Sequence, residues 1–373
     1  MKHLMLSAVF CSALLFSATP LAVHACTSWM VFSDFTQNGT HILHKNRDSA
    51  NRKIRVALSP ENAPRKWIAL GSGDTNAGMN SSGLACAMNS GERCIDPPRA
   101  RGGKSTARIL RVILESCDTA AQATGKLSEL IRAGDYSHGG QRGSIFLFMD
   151  SKEGYVCETT ATFCTVQRYD RGYTVRSSLW HNPNMYQHSR ETYDIYLRAS
   201  NRAYMAISGL NRILDEHGKI RVSDIFELSR HCTLPKGSPM KRSLCGNTTN
   251  SGATLEIDKQ FPETLSTMYV TVGHPRHTVY LPIPVCVREV LPAMANLRWS
   301  TAAFRRLDEL KLEASIPPEW TKFEADSMMQ YGKAKAHARK LLEAGKRAEA
   351  VDLLNSAAKR IWKTAATLLN IRE

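Results

Sequence analysis

Beyond its first 25 residues the 373-residue chain has no apolar run long enough to cross a bilayer, which excludes an integral membrane protein. It has no CxxC or HExxH motif and no paired Cys/His cluster, so a zinc site is without support and no metal or cofactor is expected. Internal repeats and low-complexity tracts are absent, and so are recognisable nucleic-acid-binding motifs; no nucleic-acid partner is expected. Acidic residues are scarce: 34 Asp and Glu face 49 Lys and Arg, for a formal net charge of +15. That excess favours an anionic substrate, an acidic polymer or a cell surface. Much of it falls in helical stretches, where a solvated face is the simpler account. With 43% apolar and 22% charged residues, what remains is a globular composition able to bury a large core, not a disordered, collagen-like or coiled-coil chain.

What is present begins at the N-terminus. Met1-Lys2-His3 supplies a positive start, Leu4 to Phe16 an apolar centre and Val23-His24-Ala25 a small-residue cleavage site, the pattern of an export signal. The expectation is a periplasmic or extracellular protein whose mature chain begins at Cys26. Ten cysteines become nine when Cys11 leaves with residues 1–25. An oxidising compartment permits disulfides, and Cys157 with Cys164 and Cys232 with Cys245 are close enough in sequence to suggest pairs.

Strand patterns cover Thr27 to Phe32, His41 to His44 and Ile54 to Leu58, with a hairpin turn at Gln37-Asn38-Gly39-Thr40. Helical periodicity follows over Ala107 to Cys117 and Ala120 to Arg132. Ser144 to Met149, Tyr155 to Thr160, Cys164 to Tyr169 and Tyr173 to Ser177 then read as an antiparallel meander. A second helical block spans roughly 189–231, and strands return at Ala253 to Ile257, Met268 to Val272 and Val279 to Ile283. From about Ser300 the pattern is helical, broken at Pro317-Pro318 and near Gly345, as an appended helical arm. The order predicts an α+β fold with two facing antiparallel sheets and helices outside.

Cys26 draws attention because processing would give one residue both a thiol and a free α-amine. An α-amine has an unperturbed pKa of about 7.7–8.0, close enough to neutrality to accept the thiol proton. Two other fates compete: the lipid-modified residue of a lipoprotein, against which the bulky His24 argues, and half of a disulfide. His41, His44, His138, His181, His188 and His231 are scattered, with no papain-type Cys/His/Asn spacing, and are expected to be structural or surface residues.

Cys26-Thr27-Ser28, the turn at Asn38-Gly39 and Lys45-Asn46-Arg47-Asp48 together resemble the opening of the N-terminal-nucleophile cysteine amide hydrolases. That superfamily contains choloylglycine hydrolase, penicillin V acylase, acid ceramidase and the isopenicillin-N acyltransferases. The resemblance implies that Cys26 is the nucleophile and that Asp48, on the adjacent strand, holds its α-amine. Lys45 stands where the bile-salt branch has Arg, and would favour the thiolate. An Asn-x-Asp after a strand is otherwise a turn signal. Gly78-Met79-Asn80-Ser81-Ser82-Gly83-Leu84 is similar to the family's Gly-Met-Asn-x-x-Gly-Leu. Asn89 then falls within one residue of an oxyanion-hole Asn, or is a turn residue of Asn89-Ser90-Gly91. Trp180-His181-Asn182-Pro183 resembles the element that carries the other oxyanion donor, implying Asn182. Ala199-Ser200-Asn201-Arg202 resembles the segment with an active-site Arg, implying Arg202, although Arg190 and Arg198 are near. Thr248, Thr249 and Ser251 precede a strand and are further candidates to line the site. Tyr269 to Pro275 and Tyr280-Leu281-Pro282 resemble the closing strands of the acyltransferase branch.

Together these motifs span about residues 26–284. They imply a four-layer αββα sandwich over 26–299, a helical extension over 300–373, and cleavage of a small-molecule linear amide through a thioester. The same thioester serves an acyltransferase, and a binding protein that keeps the fold without the chemistry is the rival reading. The acyl group, the leaving amine and the presence of a homo-oligomer stay open.

Overall fold

The structure, a computed structural model, describes residues 26–72, 75–95, 103–137, 142–232, 243–312 and 314–372. The expected export signal and His138 lie outside the described residues. The strands in chain order are β1 (Thr27–Val31), β2 (His41–Asp48), β3 (Arg55–Leu58), β4 (Trp67–Gly71), β5 (Thr75–Asn80), β6 (Ala85–Arg93), β7 (Lys104–Ser105) and β8 (Tyr136–Ser137). They continue with β9 (Arg142–Met149), β10 (Gly154–Thr159), β11 (Cys164–Tyr169), β12 (Tyr173–Arg176), β13 (Thr249–Ile257), β14 (Thr267–Thr271) and β15 (Leu281–Pro284). One sheet runs β12-β1-β2-β13-β14-β15 and a second β11-β10-β9-β6-β5-β4-β3, while β7 and β8 form a short separate pair. Every pairing within the two large sheets is antiparallel.

Alternation along the strands sorts side chains into layers. In β9, Ile145, Leu147 and Met149 join the core between the sheets, whereas Phe146 and Phe148 face outward. There they meet Ile109, Leu110 and Ile113 of α1 (Thr106–Ser116) and Leu127 of α2 (Ala120–Arg132). Both helices start on side-chain caps, Ser105 to the Arg108 N–H and Thr119 to the Gln122 N–H. The six-stranded sheet is covered by α3 (Tyr193–His217) and α4 (Val222–Ser229). After two single-turn helices, α5 (Pro262–Leu265) and α6 (Pro292–Ala295), come α7 (Arg298–Leu310), α8 (Pro318–Glu343) and α9 (Arg347–Leu368). Helix, sheet, sheet, helix is therefore the observed order of layers.

The last three helices belong to that outer layer. The apolar stripe of α9, with Leu354, Ile361 and Trp362, joins the core of the six-stranded sheet, and Trp362 Nε1 donates to Pro282 O at 2.8 Å. From α8, Glu324 accepts both ends of the buried Arg230 guanidinium at 2.6 Å and the Tyr280 N–H. Lys335 and Arg339, farther along α8, pair with Glu256 and Asp258 at the end of β13. A segment that reads in sequence as an appended arm supplies one of the molecule's walls.

The expected meander also divides. β9, β10 and β11 pair in sequence, but β12 crosses to the other sheet and pairs with β1, in register Ser28 with Arg176. Gly172 makes the crossing, its N–H on the Asp34 carboxylate and its carbonyl accepting the Phe32 N–H. Among the described residues the nine cysteines form no disulfide. Cys164 lies opposite Thr159, which makes Cys157 its diagonal neighbour across β10 and β11, and the two thiols interact. No described helix is long and apolar enough to cross a membrane.

Candidate active site

Cys26 leads directly into β1 and is buried, with 5% of its surface exposed. β2 lies beside β1 in register Ser28 with Lys45 and Thr27 with Asn46. Alternation aims Lys45 and Ser28 at the second sheet, while Asn46 faces the helices and donates to the carbonyls of Ser229 and Leu244. β2 runs through Asp48, so Lys45-Asn46-Arg47-Asp48 is strand and not turn. Polar side chains are stable there because each meets a partner.

Lys45 is the clearest case. An ammonium has three donor hydrogens and no acceptor. Its Nζ donates to the Met88 carbonyl and to Asn89 Oδ1 at 2.9 Å, and the Cys26 side chain is among the groups that support its charge. Burial pulls its pKa below the ordinary lysine range, against the opposing pull of Cys26 and, more weakly, of Asp48.

Asn89, on β6 of the second sheet, is fully buried and fully used. Its Oδ1 accepts from Lys45 and from Ser28 Oγ at 2.8 Å, while Nδ2 donates to the carbonyls of Arg176 at 3.0 Å and Ser177 at 3.3 Å. Both amide hydrogens are thus committed to backbone. Asn89 ties β6 to β1, β2 and β12 and holds the Lys45 cation in place.

Asp48 lies at the far end of β2, across from Thr249 at the start of β13. Its Oδ1 accepts from Thr249 Oγ1 at 2.6 Å and its Oδ2 from Arg202 at 3.1 Å. Arg202 comes from α3 and is 1% exposed. Two residues 154 positions apart therefore form a buried ion pair on the helix side of the sheet. Of the other residues read as lining the site, Ser251 pairs with Arg47 on β2, and Thr248 accepts the Ser49 N–H.

Asn182 follows β12 by six residues and caps a short 3-10 turn over Pro183–His188. Its Oδ1 accepts the Asn184 N–H at 3.0 Å, which fixes the amide plane and makes Nδ2 the donor end, and its own N–H goes to Glu158 at 2.9 Å. The structure thus joins Cys26, Lys45 and Asn89 in one group and Asp48 with Arg202 in another. Asn182 stands on the loop that continues β12.

Sequence reasoning missed a buried Cys/His contact. Cys245 Sγ lies 3.8 Å from His274 Nε2, and both are buried. Burial drives the Cys245 thiol up and the His274 imidazole down to about 3, the reverse of what a thiolate–imidazolium pair requires. The contact is structural. His44 is similarly neutral, its pKa lowered by burial to about 3, and it bridges Thr254 and Asn46 while stacked on Trp29. A cavity of about 670 Å³ opens on the outer face of the seven-stranded sheet, between α1 and strands β3 and β4, and Cys26 does not line it. Among the described residues no group of His, Cys, Asp and Glu has the arrangement of a metal site.

No family profile and no curated protein matches the chain. Among solved structures it is similar to a mutant conjugated bile acid hydrolase from Clostridium perfringens, with a TM-score of 0.45 and 12% identity over 69% of this chain and 92% of that one. It is also similar to a penicillin V acylase from Agrobacterium tumefaciens, with a TM-score of 0.44 and 15% identity over 69% of this chain and 86% of that one. Both are loose likenesses of outline, and the chemistry below is argued from the residues themselves.

Proposed function

We propose that the chain is an exported amide hydrolase whose nucleophile is the N-terminal Cys26 left after removal of residues 1–25. The observation that carries this reading is the buried Lys45 ammonium, held by the Met88 carbonyl and Asn89 and with the Cys26 side chain among the groups that support its charge. A buried charge is costly without partners, and here a partner is the candidate nucleophile.

In the proposed reaction the Cys26 sulfur attacks the amide carbonyl carbon, and the α-amine of the processed residue takes the thiol proton. Asn182 Nδ2 donates to the oxyanion. Collapse breaks the C–N bond, and the proton passes from the α-amine to the departing amine. Water then cleaves the thioester, releasing the acid and restoring the thiol. Asp48, fixed by Arg202 and Thr249, lies one residue past the β2 position that a continued register sets beside Cys26, close enough to orient the α-amine. An amine acceptor in place of water makes the same chemistry an acyl transfer. The excess positive charge favours an anionic acyl or amine group.

The test is to screen processed protein against N-acyl amino acids, bile-salt conjugates, penicillin V and short peptides, beside a folded and processed Cys26→Ala protein. The reading predicts turnover that vanishes in the variant and an acyl group on Cys26 that hydroxylamine releases. Turnover retained in Cys26→Ala overturns it.

A further inference from the structure

Three consecutive backbone N–H groups on the loop after β12 point into carboxylates of the opposite sheet. Trp180 N–H donates to Glu92 Oε1 at 2.9 Å, His181 N–H to Glu158 Oε1 at 2.8 Å and Asn182 N–H to Glu158 Oε2 at 2.9 Å. Glu92 extends from β6 and Glu158 from β10, and both are buried. The other Glu92 oxygen accepts from Ser189 Oγ, at the far end of the same loop. Loop backbone is ordinarily satisfied by turns or water, so three consecutive N–H groups aimed at two buried carboxylates are a dedicated attachment.

The indole of Trp180 adds a mechanical anchor. It fills a slot that exists because positions 91 and 143 are glycine: a Cβ on Gly91 would lie 2.8 Å from Trp180 Nε1, and one on Gly143 would lie 2.4 Å from Trp180 Cζ2. Between strand and loop stand Ser177 and Ser178, fully buried, with hydroxyls that have no hydrogen-bond partner among the described residues. A continued β1–β12 register sets Ser178 across from Cys26. The segment beside the candidate nucleophile is therefore tightly held yet keeps polar atoms unspent.

We infer that Glu158 and Glu92 are positioning residues that clamp the 180–182 segment and so set where the Asn182 amide meets the oxyanion. The inference rests on the proposed function for its catalytic half. Its structural half stands on the three hydrogen bonds. Groups facing Glu158 are Arg176 from β12, at 3.5 Å, Glu92 from β6 and His181 of the loop; Glu92 also faces Glu191, which is paired with Arg142 of β9 at 2.9 Å. Burial pushes both carboxyls above the usual glutamate range, against the hold of the loop N–H groups. A proton on Glu158 removes one acceptor and slackens the clamp, so activity falls on the acid side at a pH above the ordinary glutamate range.

The experiment compares processed wild type with Glu158→Gln, Glu158→Asp and Glu92→Gln in two readouts. The first is amide hydrogen exchange over residues 178–184. Glu158→Gln, which keeps one acceptor oxygen for two donors, should lower the combined protection of the His181 and Asn182 N–H groups and leave Trp180 protected, and Glu92→Gln should weaken Trp180 and spare the other two. The second is kcat and KM on a chromogenic N-acyl p-nitroanilide, with the iodoacetamide rate at Cys26 as control. Glu158→Gln should lower kcat about 10²-fold with KM within about twofold, an unchanged alkylation rate and no acid limb attributable to Glu158. Glu158→Asp should recover part of the loss. Unchanged protection of His181 and Asn182 in Glu158→Gln overturns the clamp. Lost protection with unchanged kcat overturns its role in positioning. A wild type whose Cys26 alkylates but which cleaves no amide refutes the proposed function and the catalytic half of this inference, while the exchange pattern still decides the clamp.

Discussion

Cys26 and Cys245 are both buried thiols close to the β2–β13 pair, and what faces each is opposite. Cys26 meets the Lys45 ammonium, which Asn89 holds from the second sheet. Cys245 meets His274, an imidazole that burial keeps neutral, and Asp48 adds a negative charge that drives its thiol higher still. Burial is common to both, so burial does not single out a nucleophile; a cation beside the sulfur is what sets the proposed nucleophile apart. Asp48 acts on both sides of the comparison, supporting the charge on Lys45 and opposing one on Cys245.

The strongest way to break the comparison is to remove each sulfur in turn. Cys26→Ala should lower turnover by about 10⁴-fold or more, the scale on which a covalent nucleophile is lost. Cys245→Ala should keep turnover within about threefold and cost ~1–3 kcal/mol of stability in urea unfolding, as for other small buried truncations. Next comes the charge between the two thiols. Arg202→Ala strands a buried Asp48 carboxylate and should destabilise the protein by ~3–5 kcal/mol, seen as a fall in the urea midpoint. Thr249→Val removes one charged hydrogen bond and should cost ~1.5–3 kcal/mol by the same measurement.

Replacing the cation sharpens the contrast further. Lys45→Met keeps the aliphatic stem and should slow both Cys26 alkylation and turnover by about 10²-fold, leaving the accessibility of Cys245 unchanged. The smallest effect is on pH. An unfolded imidazole takes up a proton below about pH 6.5 and the folded His274 only near pH 3, so the unfolded state binds the extra proton in that window. Stability should therefore fall by about 1.4 kcal/mol for each pH unit below 6.5 on account of this one group. Urea titrations of His274→Gln at pH 7 and pH 5 should show that share of the slope gone.

Much of the fold was legible because periodicity was strong. α2 and β11 fall on the expected residues, and α1 within one. β4 and β5 escaped notice: Gly78 and Gly83 in a short run read as turn, although Gly78 is needed in strand, where a Cβ would lie 2.6 Å from Ile68 O. The destination of β12 was not legible, since strand periodicity gives the faces of a strand and not its neighbour. Helices α8 and α9 looked like an arm because their partners, Arg230, Glu256 and Pro282, lie 70 or more residues away in sequence.

In the site, motif order brought together Lys45 with Cys26 and Arg202 with Asp48. The backbone partners of the Asn89 amide were not legible, because whether an amide faces a ligand or is spent on backbone depends on the opposite strand. Cys245 with His274, and the carboxylates under the 180–182 loop, left no trace in sequence, for each joins distant segments through single contacts.

The most direct test is a brief iodoacetamide pulse at neutral pH on processed, active protein, followed by intact mass, peptide mapping and residual turnover at each time point. The account predicts a chain that begins at Cys26, one carbamidomethyl group on that residue, and turnover that falls in step with its occupancy. A chain that begins elsewhere, or full occupancy of Cys26 with turnover intact, contradicts it.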